Sequence, residues 1–226
     1  MIGLAIHTSS PELGLALTDV KTPELTGGSV TGPRTPAQDM GERYQIWPLG
    51  RDLTQYLHTC LAEFLHPYDW ADLAFLAVAK GPGGFTGTRV GVVVARTLAQ
   101  QLSVPLFGIS SLAAIAQHHH LSSLASESTA DIAVTLQAQR SEIFGALYRP
   151  HTVGLRTLIP EAIRTHADWE MCLDSQTQPY HLIAAEGGLA KSVTGVLSLA
   201  YLQWLNGARP LWHTVLPFYG QHPVHR

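Results

Sequence analysis

Residues 1–8 are almost all apolar, a short run suited to a buried strand. Ser9-Ser10-Pro11-Glu12 brings turn chemistry, and Leu13–Thr18 is a second strand, so a hairpin opens the chain. Thr22–Pro36 is rich in Pro and Gly and predicts a loop. The period then changes. Leu49, Leu53, Tyr56, Leu57, Cys60 and Phe64 recur at helical spacing, with Pro48 in the first turn or at a kink and Pro67 as the stop. Leu73–Ala79 is continuously apolar, the pattern of a strand covered on both faces. It runs into Lys80-Gly81-Pro82-Gly83-Gly84-Phe85-Thr86-Gly87-Thr88-Arg89, and a helix is expected from about Thr88 to Leu102. Leu106–Ile109 is a further strand, and Ser110 or Ser111 caps a helix running toward Gln117. In the second half, Ile132–Ala138 and Glu142–Tyr148 form paired strands and Pro160–Met171 a short helix. His181–Ala185 is a strand, Val193–Leu205 a helix, and Pro210–Arg226 an irregular tail. This alternation predicts an α/β protein divided near residue 107, into 1–107 and 108–226.

Composition sharpens that picture. The 226 residues suit one large domain or two small ones. Hydrophobic residues make up 46% and charged residues 14%, against about 25% charged in an average soluble domain. Intrinsic disorder is excluded, and the surface is short of charge. Either uncharged polar side chains cover it or another protein does. The net charge of −3 argues against a chain that grips nucleic acid alone. No basic leader and no apolar run of about 18 residues is present, so a cytoplasmic protein without a membrane span is expected. Cys60 and Cys172 stand alone, Cys60 on an apolar helical stripe, and predict no disulfide.

The glycine-rich turn is the most informative segment. A strand, a glycine turn and a helix bring backbone N–H groups to a helix N-terminus, which suits an anion. The nucleotide fingerprints fail, however. Thr86 stands where both a P-loop and a dinucleotide motif need glycine, and no Lys follows. Two readings stay open: a tight connection whose glycines permit close backbone approach, or a phosphate-proximal turn involving Gly83, Gly84 and Thr86. On the following helix, Arg89, Arg96 and Gln100 share one stripe. Val90, Val94, Leu98 and Leu102 lie opposite with Gly87 and Gly91, and Val92, Ala95 and Ala99 widen the apolar arc to roughly 240°. Such a helix has two faces to bury, and its small residues spaced by four permit close helix–helix approach. It is either sandwiched in its own domain or holds a partner.

Other chemistry is thin. His118-His119-His120 are adjacent and diverge on a helix, with no HExxH or HxxxH, so no metal site is predicted. Gly108-Ile109-Ser110-Ser111-Leu112 resembles a nucleophile elbow until Leu112 replaces the last glycine, leaving Ser110 as a cap. No self-contained catalytic set emerges.

Gly81-Pro82-Gly83-Gly84-Phe85-Thr86-Gly87-Thr88-Arg89-Val90-Gly91 resembles the GPGSFTGxRxG signature of the TsaB (YeaZ) family, relatives of the TsaD/Kae1 glycoprotease-like (peptidase M22-like) proteins. Met1–Leu17 resembles its opening hairpin, Trp70–Lys80 the strand before the signature, and Pro105–Leu112 its PxxGxSSL segment. Glu142–Tyr148 and Pro217-Phe218-Tyr219 resemble its GEVYxALY and PxYLR segments. The resemblance implies an actin/sugar-kinase/Hsp70-like fold of two ribonuclease-H-like lobes, the second reduced. It implies a part in making N6-threonylcarbamoyladenosine at position 37 of ANN-decoding tRNAs. The chain would be a non-catalytic dimerisation subunit that binds TsaD, with the ATPase TsaE joining the pair, or self-associates when TsaD is absent. It would meet tRNA only through the complex. ATP or ADP could lie at the partner interface. The partner-facing residues expected are Leu53, Leu57, Gly87, Val90, Gly91, Val94, Ala95 and Leu98.

Three departures from the family pattern bear on chemistry. His7 replaces the usual Asp, Gln137-Ala138-Gln139 replaces Asp-Ala-Arg, and the His of the HSExLLP run is lost around Glu42–Pro48. A histidine is a poor substitute for a carboxylate toward Mg²⁺, which wants oxygen ligands. The losses favour a scaffold. The alternatives are a metal- or nucleotide-dependent glycoprotease-like hydrolase and a stand-alone nucleotide-binding module.

Overall fold

The computed structural model describes residues 1–20, 43–123 and 130–218. The loop expected at Thr22–Pro36, Glu42 of the altered HSExLLP run and Tyr219 of the C-terminal motif lie outside them.

The first sheet begins with the expected hairpin, β1 (Ile2–His7) and β2 (Leu13–Asp19). A strand not anticipated from the sequence, β3 (Arg43–Trp47), pairs antiparallel with β2. Pro48 therefore follows a strand and neither opens nor kinks the helix α1 (Leu53–Leu65), which a single 3-10 turn over residues 50–52 precedes. The strand was hidden because Arg43, Tyr44 and Gln45 are exposed on a sheet edge, where burial imposes no apolar alternation. The strand β4 (Leu73–Ala79) and strand β5 (Leu106–Ile109) run parallel to β1, completing the order β3-β2-β1-β4-β5. Between them runs α2 (Phe85–Leu102), three residues longer at its start than the pattern predicts.

The second sheet holds β6 (Asp131–Gln137), β7 (Ile143–His151), β8 (Gly154–Arg164) and β9 (Tyr180–Ala185) in the order β8-β7-β6-β9. Its first three strands are an antiparallel meander and β9 is parallel to β6. This is the same plan as the first sheet with one strand fewer: two ribonuclease-H-like lobes of the actin, sugar-kinase and Hsp70 type, the second reduced. The helix expected over Pro160–Met171 is a correction. Its first half is the end of β8, where pairing with β7 overrides local preference, and only α4 (His166–Asp174) is helical.

Helices fill the layers as their apolar faces require. Ile2, Leu4, Ile6, Leu15, Leu76, Val78 and Leu106 form one face of the first sheet and bury α1 and α2. The opposite face, with Ala5, Ala16, Phe75, Ala77 and Phe107, meets α5 (Val193–Leu205). There Phe75 contacts Phe107, Tyr201 and Trp204 at ring-centroid distances of 5.5, 6.5 and 6.2 Å. Beside α5, α3 (Ser111–Ser122) turns Leu112, Ile115 and Ala116 onto the second sheet, whose far face is covered by Trp169 and Leu173 of α4. So α3 and α5 lie between the two sheets.

The tail returns to the first lobe. The Leu106 N–H donates to Pro210 O at 3.2 Å, Val215 is buried in the core around α1 and α2, and the Phe218 N–H donates to Lys80 O at 2.6 Å. The tail closes the outer edge of β5, then reaches the second sheet, where Phe218 meets Phe144 at 6.5 Å.

Candidate functional site

The glycine-rich turn lies where the C-terminal end of β4 meets the β1–β2 turn. Gly81 has φ +102°, a conformation other residues adopt only with strain, and its carbonyl accepts from Ser111 N–H at 2.8 Å. A Cβ there would collide with the Phe218 carbonyl of the tail. Gly84 caps α2 and donates its N–H to Ser9 O at 2.7 Å. Thr8 Oγ1 donates to Gly87 O at 2.8 Å, and a Cβ at Gly87 or Gly91 would overlap Thr8. The signature glycines thus admit the chain's own β1–β2 turn. That packing explains why α2 starts at Phe85 despite Gly87: tertiary contact outweighs a weak helix former.

Around this junction is a buried polar cluster. His7, Ser9, Ser10, Thr88 and Ser111 are buried, and His7 Nε2 and the four hydroxyl oxygens have no hydrogen-bond partner among the described residues. His7 Nδ1 accepts from Ser9 N–H at 3.4 Å. Burial pushes the imidazole pKa down to about 3, so His7 is neutral at physiological pH. A neutral imidazole with one nitrogen already engaged does not fit a phosphate-bound Mg²⁺, which needs oxygen ligands. Of the three residues expected near a nucleotide, Gly83, Gly84 and Thr86 are all exposed, and the Gly84 N–H is engaged by Ser9.

A second polar group was not evident from sequence. Ser110 Oγ accepts from the N–H groups of Leu112 and Ala113, as a helix cap does, and donates to Glu161 Oε2. Burial raises the Glu161 pKa, while the Ser110 hydrogen bond and the Lys80 charge lower it. Tyr148 beside them is pushed up by burial and by Glu161. Only the β7–β8 hairpin brings Glu161 to Ser110, and that hairpin was obscured by reading 160–171 as helix. His118 Nδ1 lies 2.8 Å from Thr194 Oγ1, and the His119 ring is 5.8 Å from that of His181. Among the described residues no three His, Cys, Asp or Glu side chains converge on a common point. Nor is any helix among them long and apolar enough to cross a membrane.

The expected partner-facing residues divide in two. Leu53 and Leu57 are buried in their own lobe, and Gly91 and Ala95 are buried against the first sheet. The small-residue stripe therefore approaches β1 and its turn, where close approach to another helix was expected. Val90, Val94 and Leu98 are half-buried on the flank of α2, with Gly87 at its start. Two positions that the sequence reading omitted are Val93, 59% exposed, and Tyr56 on α1, 44% exposed.

Comparisons with known proteins accord with this architecture. The model of a family described as TsaD: tRNA N6-adenosine threonylcarbamoyltransferase matches residues 51–201, about two thirds of the chain. The tRNA threonylcarbamoyladenosine biosynthesis protein TsaB of Bacillus subtilis is 32% identical over 123 residues, 54% of this chain and 51% of that protein. The chain thus spans about half the length of this curated relative. Two Pseudomonas aeruginosa structures share the fold. One, described as YeaZ, has 22% identity and a TM-score of 0.66 over 97% of this chain and 100% of that one. The other, described as similar to peptidase YeaZ, has 23% identity and a TM-score of 0.68 over 97% and 99%. The matched segment begins just before α1 and ends within α5, so it spans both lobes as well as the turn, and the chain belongs to the family described as TsaD.

Proposed function

We propose that the chain is a non-catalytic dimerisation subunit of the tRNA N6-adenosine threonylcarbamoyltransferase, which binds TsaD and supports formation of N6-threonylcarbamoyladenosine at position 37. Its N-terminal lobe, residues 1–107, supplies the contact, through the outer surfaces of α1 and α2. TsaE joins the pair, the chain self-associates when TsaD is absent, and tRNA reaches it within the complex.

The observation that carries this reading is the exposed apolar surface of α1 and α2. Val93 on α2 and Tyr56 on α1 are exposed, Val90, Val94 and Leu98 are half-buried, and both helices pack on the same face of the first sheet. A solvated helix would carry Lys or Glu at such positions, and an apolar strip on adjacent helices suits a partner helix. The buried neutral His7 supports the scaffold role, since it removes the acidic group that phosphate-bound metal needs.

Co-purification with TsaD, followed by a tRNA modification assay with and without this chain, tests the proposal. Val93→Glu, Val94→Glu or Leu98→Glu should abolish the pairing while leaving circular dichroism unchanged, because a buried unpaired carboxylate has no compensating contact. Val93→Glu is the cleanest of the three, since its side chain is largely outside the core. If the pair survives all three, the interface lies elsewhere. Tight ATP–Mg²⁺ binding with turnover by the isolated chain would instead establish an enzyme.

A further inference from the structure

We infer that the edge of the first lobe where the tail crosses from α5 to α2, with Arg209 on the α5 side and Arg89 and Arg96 on the α2 side, contacts the phosphate backbone of a structured RNA. The inference rests on the reading above for which RNA that is, and adds a direct contact by this subunit.

The first observation is a segregation of charge. Residues 80–123 and 187–226 contain no Asp or Glu, although the chain has 17. An even spread would place about six there, so the absence calls for a cause. The same stretches hold Lys80, Arg89, Arg96, Lys191, Arg209 and Arg226. A protein of net charge −3 thus has two wholly acid-free segments, and the described part of the second, residues 187–218, packs against the first. Burial explains the interior helices α3 and α5, but not α2. Its exposed positions Thr86, Val93, Thr97, Gln100 and Gln101 are also free of acid. Its first turn carries no carboxylate, so the positive end of the helix is left uncompensated.

The second observation is how the arginines are held. The Arg89 guanidinium lies 5.3 Å from the Phe85 ring centroid, that of Arg96 5.5 Å from Trp212, and that of Arg209 4.4 Å from Trp204. Among the described residues, none of the three has a carboxylate within ion-pair distance. Arg209 is anchored to the Trp204 and Ala208 carbonyls, which fixes its position without neutralising it. Lys80 lies further in, facing Glu161. A ring-backed guanidinium is pre-organised for bidentate phosphate contact. Trp212 and the exposed His213, 5.6 Å apart, add ring surface on the same edge. Rings beside unpaired arginines favour a partner that carries bases as well as phosphates over an acidic peptide.

Helical geometry sets the arginine flank of α2 apart from Val94 and Leu98. At 100° per residue, Phe85, Arg89, Arg96 and Gln100 fall within about 60° of one another, on the other side of α2 from Val94 and Leu98. Val93 falls at about 80° on the same count and adjoins the arginine flank, so the two surfaces share a boundary and binding of RNA and of the partner is measured separately.

The test measures binding of an unmodified tRNA transcript by fluorescence anisotropy across 50–200 mM salt. The full chain is used alone and with TsaD. Arg89→Glu/Arg96→Glu/Arg209→Glu should weaken binding at least tenfold and lower the salt slope by about 3, since each phosphate contact contributes nearly 1. Arg89→Gln alone, at an exposed position, should lower the slope by about 1 and keeps the test valid if the triple variant misfolds. Arg156→Glu, on β8, should change neither. If the variants still bind TsaD and bind RNA as the wild type does, the surface is wrong and the proposed function stands. If the chain fails to bind TsaD, that function falls, while binding by the chain alone still reports on the surface. Equal competition by heparin and by tRNA would also overturn the inference, in favour of a general polyanion site.

Discussion

At the residue scale, His7 ties the polar cluster to stability. Its folded pKa of about 3 lies far below the ordinary 6.5, so the unfolded chain takes up a proton that the folded chain refuses. Its contribution is complete above about pH 6.5 and is lost as pH falls toward 3, reaching on the order of 5 kcal/mol at most. His118, His119 and His120 are also shifted down, chiefly by burial, and add loss of the same sign. Thermal unfolding from pH 7 to pH 4 should show a falling Tm, and His7→Gln should flatten the slope. An unchanged slope would mean that His7 is protonated in the fold. Gly91 makes a second case. A methyl there overlaps Thr8, so Gly91→Ala should destabilise by roughly 2 kcal/mol in urea titrations, although alanine is the better helix former.

At the scale of elements, the sequence revealed what burial imposes. β1, β2, β4, β5, β6 and β9 lie where continuous or alternating apolar runs predicted them, as does α5. Except for β9, largely exposed on its sheet edge and marked only by its short apolar run, these runs are legible because both faces, or one, must leave water. β3 and β8 were missed. Both are meander edges with exposed residues, held by hydrogen bonds to a neighbour distant in pattern. The candidate site was legible in its glycines but not in its partners. The spacing announced a close backbone approach, but not that Thr8 and Ser9 are what approaches. The wide apolar arc on α2 was likewise legible, whereas its division between sheet and surface needed the fold.

At the scale of the molecule, the tail decides how the parts hold together. It buries Val215, pairs with Leu106 and Lys80, and touches both sheets. Ending the chain after Gly207 removes the buried Val215, the partly buried Ala208, Trp212 and Phe218, and three backbone hydrogen bonds to the rest of the fold, a loss of roughly 5 kcal/mol. Hydrogen exchange should show the Leu106 amide losing protection first, with the amides of β6 and β7 little changed. Uniform loss across both sheets would instead mean that the lobes unfold as one unit.

The position of α5 and the tail also sets an order of events during synthesis. The first sheet is complete as a set of strands by Ile109, yet one of its faces waits for residues 193–205 and its outer edge for residues 210–218. On the ribosome, at about 5–20 residues per second, roughly ten seconds separates those two moments. Through that interval Phe75 and Phe107 have no helix over them and β5 has no cover. The N-terminal half emerges first and is finished last, so the nascent chain depends on whatever shields that apolar face until its final turn of helix is made.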